Sequence, residues 1–268
     1  MCRARQYYVG DMRIDVYLVE KGFCESRNRA SRLIDEGKVL LDGKTVSKPS
    51  LDVDDGEHTV EITLRDRFVG RGGLKLEAAL DQFKIDVEGF RCIDVGASTG
   101  GFTDCLLQRG ASHVCAVDSG RGQLHQSLVQ DIRVTNLEGF NARELDRESF
   151  GTFDIAVTDV SFISQTLLHG PIASVLKDGA IFISLIKPQF EAGRSALSKN
   201  GIVKKPMDRE RAIIRVLESA EGCGFEAIGI IPSPILGGDG NREFLAAFIK
   251  KRCERSLDVA LIKRICKD

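Results

Sequence analysis

Seven short apolar runs, all after residue 90, constrain the fold of this chain more than any other feature of its sequence. The first six runs are separated by spacers of helical length, which predicts parallel strands with helices on both faces of one sheet. The seventh run follows the sixth after only a loop, so we expect an antiparallel last strand in an α/β fold. The predicted strands are "RCIDV", "HVCAVD", "IRVTNL", "FDIAVTD", "AIFISLI", "FEAIGII" and "FLAAFIK".

A smaller α+β unit is predicted before the sheet. Ser26 is the expected N-cap of its second helix, and Gly37 is expected to end that helix. The pair Asp42 and Gly43 predicts a hairpin turn between two short strands, and "HTVEITL" predicts a further strand. The predicted division of the chain is an extension at residues 1–11, the α+β unit at 12–64, a basic, glycine-rich linker at 65–74, the sheet domain at 75–252 and a C-terminal tail at 253–268.

Composition narrows the classes of protein that this chain can represent. The formal net charge is −1, so any basic surface must be local. The eight cysteines form no C-x-x-C pair, which predicts reduced thiols in a cytoplasmic protein and no metal site. The longest apolar run, at residues 180–186, is far shorter than the roughly 18 residues of a membrane-spanning helix. No basic-then-apolar segment opens the chain, so we expect no secretory signal.

The second helix and the hairpin of the N-terminal unit carry a local basic excess. Residues 26–50 hold six basic and three acidic residues, which a solvated helix face would also explain. However, the order of helix, basic helix and hairpin resembles the α-L RNA-binding module of a small-subunit ribosomal protein and of pseudouridine synthases. That resemblance implies contacts with the phosphates of structured RNA. Together with the linker, the predicted RNA contacts are Arg27, Arg29, Arg32, Lys38, Lys44, Arg65, Arg67 and Arg71.

The first strand of the sheet leads into a glycine-rich turn, "CIDVGASTGGFTD". An acid inside the end of this strand would crowd a phosphate but suits a cationic sulfonium ligand. Asp118 ends the second strand, 22 residues after Gly96, and its carboxylate can accept both hydroxyls of a ribose. The predicted S-adenosylmethionine site comprises Asp94, Gly96, Ser98, Thr99, Gly100, Gly101, Asp118, Asn141 and Asp159. A nicotinamide-dependent dehydrogenase is an alternative, but the glycine spacing and the reversed strand count against it.

Four charged residues lie at apolar boundaries of the predicted sheet domain. Asp159 ends the fourth strand, Lys187 ends the fifth, and Glu243 precedes the reversed strand on the same rim. Lys75 lies on the helix that leads into the sheet. Because ligands of open α/β sheets bind at the carboxyl ends of the strands, we expect these four side chains to converge on one cleft.

This order of charges resembles the K-D-K-E tetrad of the RrmJ/FtsJ-type ribose 2′-O-methyltransferases. A seven-stranded sheet with one reversed strand is also the Rossmann-like layout of class I methyltransferases. Over residues 12–250 the chain resembles the TlyA family, often labelled hemolysin-like, and the matching segments are "RGGLKLEAAL", "DVGASTGGFTD", "VTDVSFIS", "LIKPQFEAG" and "GIVKKP". The resemblance implies S-adenosylmethionine-dependent methylation of cytidine 2′-hydroxyls, with ribosomal RNA and ribosomal subunits as partners.

The chemistry of ribose methylation suits these residue types. A ribose hydroxyl is a poor nucleophile, so the enzyme must orient it and ease the loss of its proton. We predict Lys187 as the base, Lys75 as the cation that steadies negative charge, Asp159 as the residue that positions the lysine, and Glu243 as a partner of Lys75 or the ribose. A non-catalytic RNA-binding or assembly factor, and the hemolysin that the family label suggests, are the remaining alternatives.

Overall fold

The computed structural model describes residues 12–54, 56–62, 67–238, 240–251 and 259–267. The chain divides into two compact units, the first ending at Asp66 and the second beginning at Arg67. The predicted extension at residues 1–11, the predicted RNA contact Arg65 and the start of the predicted tail lie outside the described residues.

The described part of the first unit contains two helices and five short strands. They are β1 (Met12–Arg13), α1 (Ile14–Glu20), α2 (Arg27–Asp35), β2 (Val39–Leu41), β3 (Lys44–Thr45), β4 (Asp52–Val53) and β5 (Val60–Ile62). Strand β2 pairs with β3 and β5, and β1 pairs with β4, all antiparallel. The buried side chains of Ile14, Leu18, Leu33 and Ile34 form the centre of this small α+β core.

Local sequence signals account for the boundaries within the first unit. The Ser26 hydroxyl accepts a hydrogen bond from the backbone N–H of Arg29 at 3.3 Å, which confirms the predicted N-cap. Gly37 follows the end of α2 with a φ angle of +68°. Asp42 and Gly43 have φ angles of +51° and +75°, as a two-residue turn matched to the strand twist requires. The hairpin prediction is therefore confirmed.

The second unit is built on a seven-stranded sheet. Its strands are β6 (Arg91–Val95), β7 (His113–Asp118), β8 (Val134–Glu138), β9 (Phe153–Thr158), β10 (Leu176–Ile186), β11 (Phe225–Pro232) and β12 (Phe244–Lys250). Their order is β11-β12-β10-β9-β6-β7-β8, and β12 is antiparallel to both of its neighbours. The other pairs are parallel, which confirms the predicted layout with a reversed last strand.

Helices cover both faces of this sheet. They are α3 (Gly72–Phe83), α4 (Gly101–Gln108), α5 (Gln126–Val129), α6 (Arg147–Phe150), α7 (His169–Val175), α8 (Pro188–Glu191), α9 (Pro206–Gly222) and α10 (Val259–Lys267). Short 3₁₀ turns lie at Ala142–Glu144, Gln165–Leu167 and Arg194–Ala196. The neighbouring residues Phe182 and Ile183 belong to two different apolar clusters, one on each face. From the predicted tail, Ile262 and Cys266 on α10 pack back into the first of these clusters.

The glycine-rich segment that we predicted as a linker packs on the second unit over its described part, residues 67–74. Phe68 is buried, and a Cβ atom at Gly73 would lie less than 2.5 Å from its ring. The backbone N–H of Val69 donates to Asp104 Oδ2 at 2.8 Å, and α3 already begins at Gly72. The boundary therefore differs from the prediction because the glycines permit close packing here instead of providing flexibility.

No helix within the described part of the chain combines the length and the apolar character that crossing a membrane requires.

Candidate active site

A buried ion pair joins the first turn of α3 to the residue directly before β12. Lys75 Nζ donates to Glu243 Oε2 at 2.6 Å. The two side chains are only 9% and 3% exposed, so each charge depends on the other for compensation. The sequence places these residues 168 positions apart, and the fold brings them into direct contact.

A second ion pair follows strands β9 and β10. Lys187 Nζ lies 2.6 Å from Asp159 Oδ1 and donates to Ser161 Oγ at 2.7 Å. Both side chains remain partly accessible, at 11% for Lys187 and 22% for Asp159. This lysine therefore lies between a carboxylate and a hydroxyl, and it donates its hydrogen bond to the hydroxyl.

Strand pairing explains why both ion pairs lie at one edge of the sheet. Parallel β9 and β10 pair Thr158 with Ser184, so their carboxyl ends lie side by side. Antiparallel β12 pairs Phe244 with Ile186, which puts Glu243 and Lys187 beyond the same edge. The start of α3 reaches this edge as well, because a Cβ atom at Gly72 would lie 3.6 Å from Asp159 Oδ2. The structure thus brings all four predicted charged residues to one rim.

A cavity of about 440 Å³ opens at this rim. Five of the predicted cofactor residues line it, namely Gly96, Ser98, Asp118, Asn141 and Asp159. Asp118 is held in place by the turn after β6: its Oδ2 accepts from the backbone N–H of Ser98 at 2.8 Å, and its Oδ1 accepts from Gly120 at 2.7 Å. Each carboxylate oxygen keeps a further lone pair, so the group can also accept hydroxyls from a ribose.

The other four predicted cofactor residues, Asp94, Thr99, Gly100 and Gly101, are not part of the cavity lining. A Cβ atom at Gly100 would lie less than 2.5 Å from Leu128 Cδ1, and one at Gly101 would lie 3.0 Å from the carbonyl oxygen of Gly70. These glycines allow the turn and α4 to pack against neighbouring protein segments. Their geometry shows that both positions permit close packing, and their approach to a ligand stays a prediction.

Asp94 lies fully buried behind the cavity wall. Its Oδ2 accepts a hydrogen bond from Thr103 Oγ1 at 2.7 Å. Burial raises the pKa of Asp94 to about 7, and the nearby carboxylates of Asp159 and Asp118 act in the same direction. Asp94 thus supports the turn between β6 and α4 from inside the protein.

Several cavity residues were missed by the sequence analysis. Ser119, Gln123, Phe140 and Val160 line the cavity, as do Ser161 and Phe162. Phe162 is 93% exposed with a φ angle of +65°, and its ring centroid lies 5.3 Å from that of Phe190. An aromatic residue three positions after a strand-end acid was the available signal, but the exposure of an aromatic side chain cannot be inferred from its identity in a sequence.

The predicted RNA-binding residues differ in their surroundings. In the first unit, Arg27 pairs with the buried Asp15 at 2.9 Å, whereas the side chains of Arg32 and Lys38 both pair with Glu36 at 2.8 Å. Arg29 and Lys44 are exposed and form no ion pair within the described residues. In the second unit, Arg67 pairs with Glu77 at 2.5 Å, and Arg71 lies close to Gly238.

A seven-stranded sheet with a reversed last strand, a strand-end carboxylate in a rim cavity and two lysine–carboxylate pairs define a class I S-adenosylmethionine-dependent methyltransferase. Residues 68–250 match the FtsJ-like methyltransferase family, and residues 12–58 match the S4 domain, which confirms the predicted RNA-binding module. The chain belongs to the TlyA family of FtsJ-like methyltransferases.

Relatives of known name cover nearly the whole chain. The 16S/23S rRNA (cytidine-2′-O)-methyltransferase TlyA of Mycobacterium tuberculosis is 42% identical over 248 residues, which are 91% of this chain and 92% of that protein. Hemolysin A of Brachyspira hyodysenteriae is 41% identical over 240 residues, 89% of this chain and 100% of the relative. A solved structure from Streptococcus thermophilus, which carries a hemolysin name, has a TM-score of 0.74 at 40% identity and covers 97% of this chain and 96% of its own.

Proposed function

We propose that this chain transfers a methyl group from S-adenosylmethionine to the 2′-hydroxyl of a cytidine in ribosomal RNA. One observation carries the proposal: the ion pairs Lys75–Glu243 and Lys187–Asp159 lie at the same end of the sheet as the cavity, which Asp159 lines. The Mycobacterium tuberculosis relative, whose name states this reaction, supports the choice of substrate. Ribosomal RNA within ribosomal subunits is the proposed partner.

The cavity residues suit the methyl donor. When bound, S-adenosylmethionine supplies an electrophilic methyl group on a cationic sulfur. Asp118 would accept the cofactor's ribose hydroxyls, Asn141 would lie beside the adenine, and the Asp159 carboxylate would favour the positive charge. Gly96 keeps the turn close to the next strand, because a Cβ atom there would lie 2.9 Å from Val160 Cγ1.

The two lysines have different roles in the proposed reaction. Lys187 Nζ, in its neutral form, accepts the proton that leaves the ribose 2′-oxygen, and Asp159 orients this amine. Lys75, paired with Glu243, supplies the positive charge that stabilises negative charge on the same oxygen. In this proposal Lys75 contributes charge, whereas Lys187, which donates to the cavity residue Ser161, moves the proton.

An aromatic pair at the rim is suited to hold the target base. Phe162 exposes its ring beside Phe190, and Lys187 Nζ lies 5.9 Å from the centroid of the Phe190 ring. Enzymes that modify nucleotides commonly stack an unstacked base on exposed aromatic rings. We therefore assign Phe162 as the stacking partner of the cytosine.

The first unit would supply affinity for the RNA through phosphate contacts, in which exposed Arg29 and Lys44 are the clearest candidates. We place this reaction in the cytoplasm. The six described cysteines, Cys24, Cys92, Cys105, Cys115, Cys223 and Cys266, are free thiols, as expected in a reducing compartment.

The deciding experiment compares two Lys187 variants in single-turnover methylation of ribosomal RNA with a radioactive methyl donor. Lys187→Ala should lower the rate by about 10²–10⁴-fold while cofactor affinity stays within a few-fold. Lys187→Arg should recover little of the rate, because a guanidinium stays protonated and cannot accept the ribose proton. Lys177→Ala is the matched control, since Lys177 lies at the other end of the same strand and pairs with Asp154 on the surface.

Near-wild-type transfer by Lys187→Arg would mean that the lysine supplies only charge, and would contradict its role as the base. Wild-type protein that binds ribosomal RNA without methylating it would instead favour the non-catalytic assembly factor. Mass mapping of ribosomal RNA from cells with and without the protein identifies the modified nucleotide.

A further inference from the structure

The amine of Lys187 lies near a carboxylate and a hydroxyl, and it donates a hydrogen bond to the hydroxyl. Its Nζ lies 2.6 Å from Asp159 Oδ1 and donates to Ser161 Oγ at 2.7 Å. Ser161 is itself exposed and lines the cavity at the rim. Ser161 therefore contacts the lysine through its hydroxyl and also borders the cavity in which a methyl donor would bind.

The number of hydrogens on the amine makes the second acceptor important. A neutral lysine amine has two N–H groups and one lone pair in a tetrahedral arrangement. With Asp159 alone, the amine could rotate about its Cε–Nζ bond and turn the lone pair away from the substrate. With one N–H donated to Ser161 Oγ and the other drawn toward the nearby Asp159 carboxylate, the lone pair is directed to the remaining tetrahedral position.

The position of Ser161 is fixed by its own loop. At one end, the backbone N–H of Asp159 donates to the Val95 carbonyl at 3.2 Å. At the other end, the buried Glu191 accepts from the backbone N–H of Gln165 at 2.8 Å and from Ser164 Oγ at 2.6 Å. Glu191 belongs to α8, the helix that begins directly after Lys187. The hydroxyl and the lysine are thus attached to one rigid frame.

We propose that Ser161 is a positioning residue that orients the lone pair of Lys187 toward the ribose 2′-hydroxyl. The inference rests on the proposed function, in which the 2′-oxygen loses its proton to Lys187 Nζ. Ser161 acts through the lysine and takes no part in the exchange of bonds. Its contribution should therefore appear in the rate of the chemical step, and not in the affinity for either substrate.

The test measures single-turnover methylation at saturating ribosomal RNA, together with the affinities for RNA and S-adenosylmethionine. Ser161→Ala should lower the rate about 10- to 100-fold, because the Lys187 lone pair would no longer be aligned with the ribose 2′-hydroxyl. Both affinities should stay within about two-fold of the wild-type values. Ser161→Thr, which keeps the hydroxyl, should restore most of the rate. Ser112→Ala is the control, since this exposed serine lies at the opposite edge of the sheet, before β7.

A double-mutant cycle then shows whether Ser161 acts through Lys187. In the Lys187→Ala background, Ser161→Ala should cause almost no further loss, because the group that it orients is already absent. An equal loss in both backgrounds would assign Ser161 an independent contact with substrate and overturn the inference. An unchanged rate in Ser161→Ala, or a loss confined to affinity, would overturn it as well. The proposed function fails separately, if the wild-type protein transfers no methyl group to ribosomal RNA.

Discussion

Lys75 and Glu243 show what a single buried charge requires of its neighbours. Their side chains are almost inaccessible to water, and the 2.6 Å contact between them replaces the lost hydration. A pair of this kind is stable only while both members are present. The pair also keeps a positive charge at a buried position where water could not solvate it.

Glu243→Ala should lower the free energy of unfolding by about 3–5 kcal/mol, because Lys75 is left buried without its counter-charge. Denaturant unfolding followed by circular dichroism measures the change. Removing both charges together, with Lys75→Met and Glu243→Leu, should return most of the stability but none of the methyl transfer. A double variant as unstable as Glu243→Ala would contradict the electrostatic explanation.

Asp94 makes the stability of the second unit depend on pH. Burial raises the pKa of this carboxyl to about 7, so the folded protein binds the proton more tightly than the unfolded chain does. The resulting stabilisation is fully present below the pKa of the unfolded carboxyl, about 4, and is lost as the pH rises to about 7. Above that pH the folded protein carries a buried charge.

Asp94→Asn should therefore gain stability relative to the wild type as the pH rises from about 4 to about 7, with a constant difference at higher pH. Melting temperatures of both proteins, measured in the same series of buffers, give the comparison. Asparagine keeps the shape of the protonated side chain and its acceptor for Thr103 Oγ1. A difference that does not change with pH would show that Asp94 titrates in its ordinary range.

At the scale of elements, one carboxylate ties the turn after β6 to the end of β7. Asp118 accepts two backbone N–H groups, so it shapes the cavity wall in addition to offering oxygens to a ribose. Asp118→Ala should weaken S-adenosylmethionine binding by about 10- to 100-fold, the equivalent of a charged hydrogen bond. Calorimetric titration measures this, with the exposed Asp178→Ala as the control. Unchanged affinity would remove Asp118 from the cofactor site.

Helix α2 carries basic residues with two different functions. Arg27 stabilises the first unit through the buried Asp15, so its replacement would disturb folding and RNA binding together. Arg29, and Lys44 on the hairpin that follows, are exposed and can be replaced without breaking an ion pair within the described residues. Only this second kind of residue can report on RNA binding alone.

Replacing Arg29 and Lys44 together with alanine should weaken RNA binding and reduce its salt dependence. The slope of the logarithm of the RNA-binding constant against the logarithm of the salt concentration should fall in magnitude by about 0.7–0.9 for each phosphate that the variant no longer neutralises. S-adenosylmethionine affinity should not change. Binding isotherms at several salt concentrations provide the slope, and Lys177→Ala controls for the removal of any surface cation. A slope equal to that of the wild type would mean that this face of the unit is only solvated.

At the scale of the whole molecule, the predicted strand boundaries agree best with the structure where the apolar run is clearly bounded. Strands β6, β7 and β12 begin and end where the apolar runs predicted, because charged residues or turns flank each of them. Strand β10 instead begins at Leu176, four residues before the predicted start. Its first part contains Lys177, Asp178 and Gly179, which have no apolar pattern, and the pairing with β9 is irregular there.

The sequence by itself determined the local structure and the chemistry: the number of strands in the large sheet, the reversal of the last one, the caps and turns of the first unit, and the acids and lysines at strand ends. These features depend on backbone preferences and on hydrophobic periods of a few residues. Only the tertiary structure decided which charges pair and that Lys187 donates a hydrogen bond to Ser161. It also decided that Gly100 and Gly101 permit close packing. Such contacts join residues far apart in the chain, and they depend on the spatial order of the strands, which local patterns do not encode.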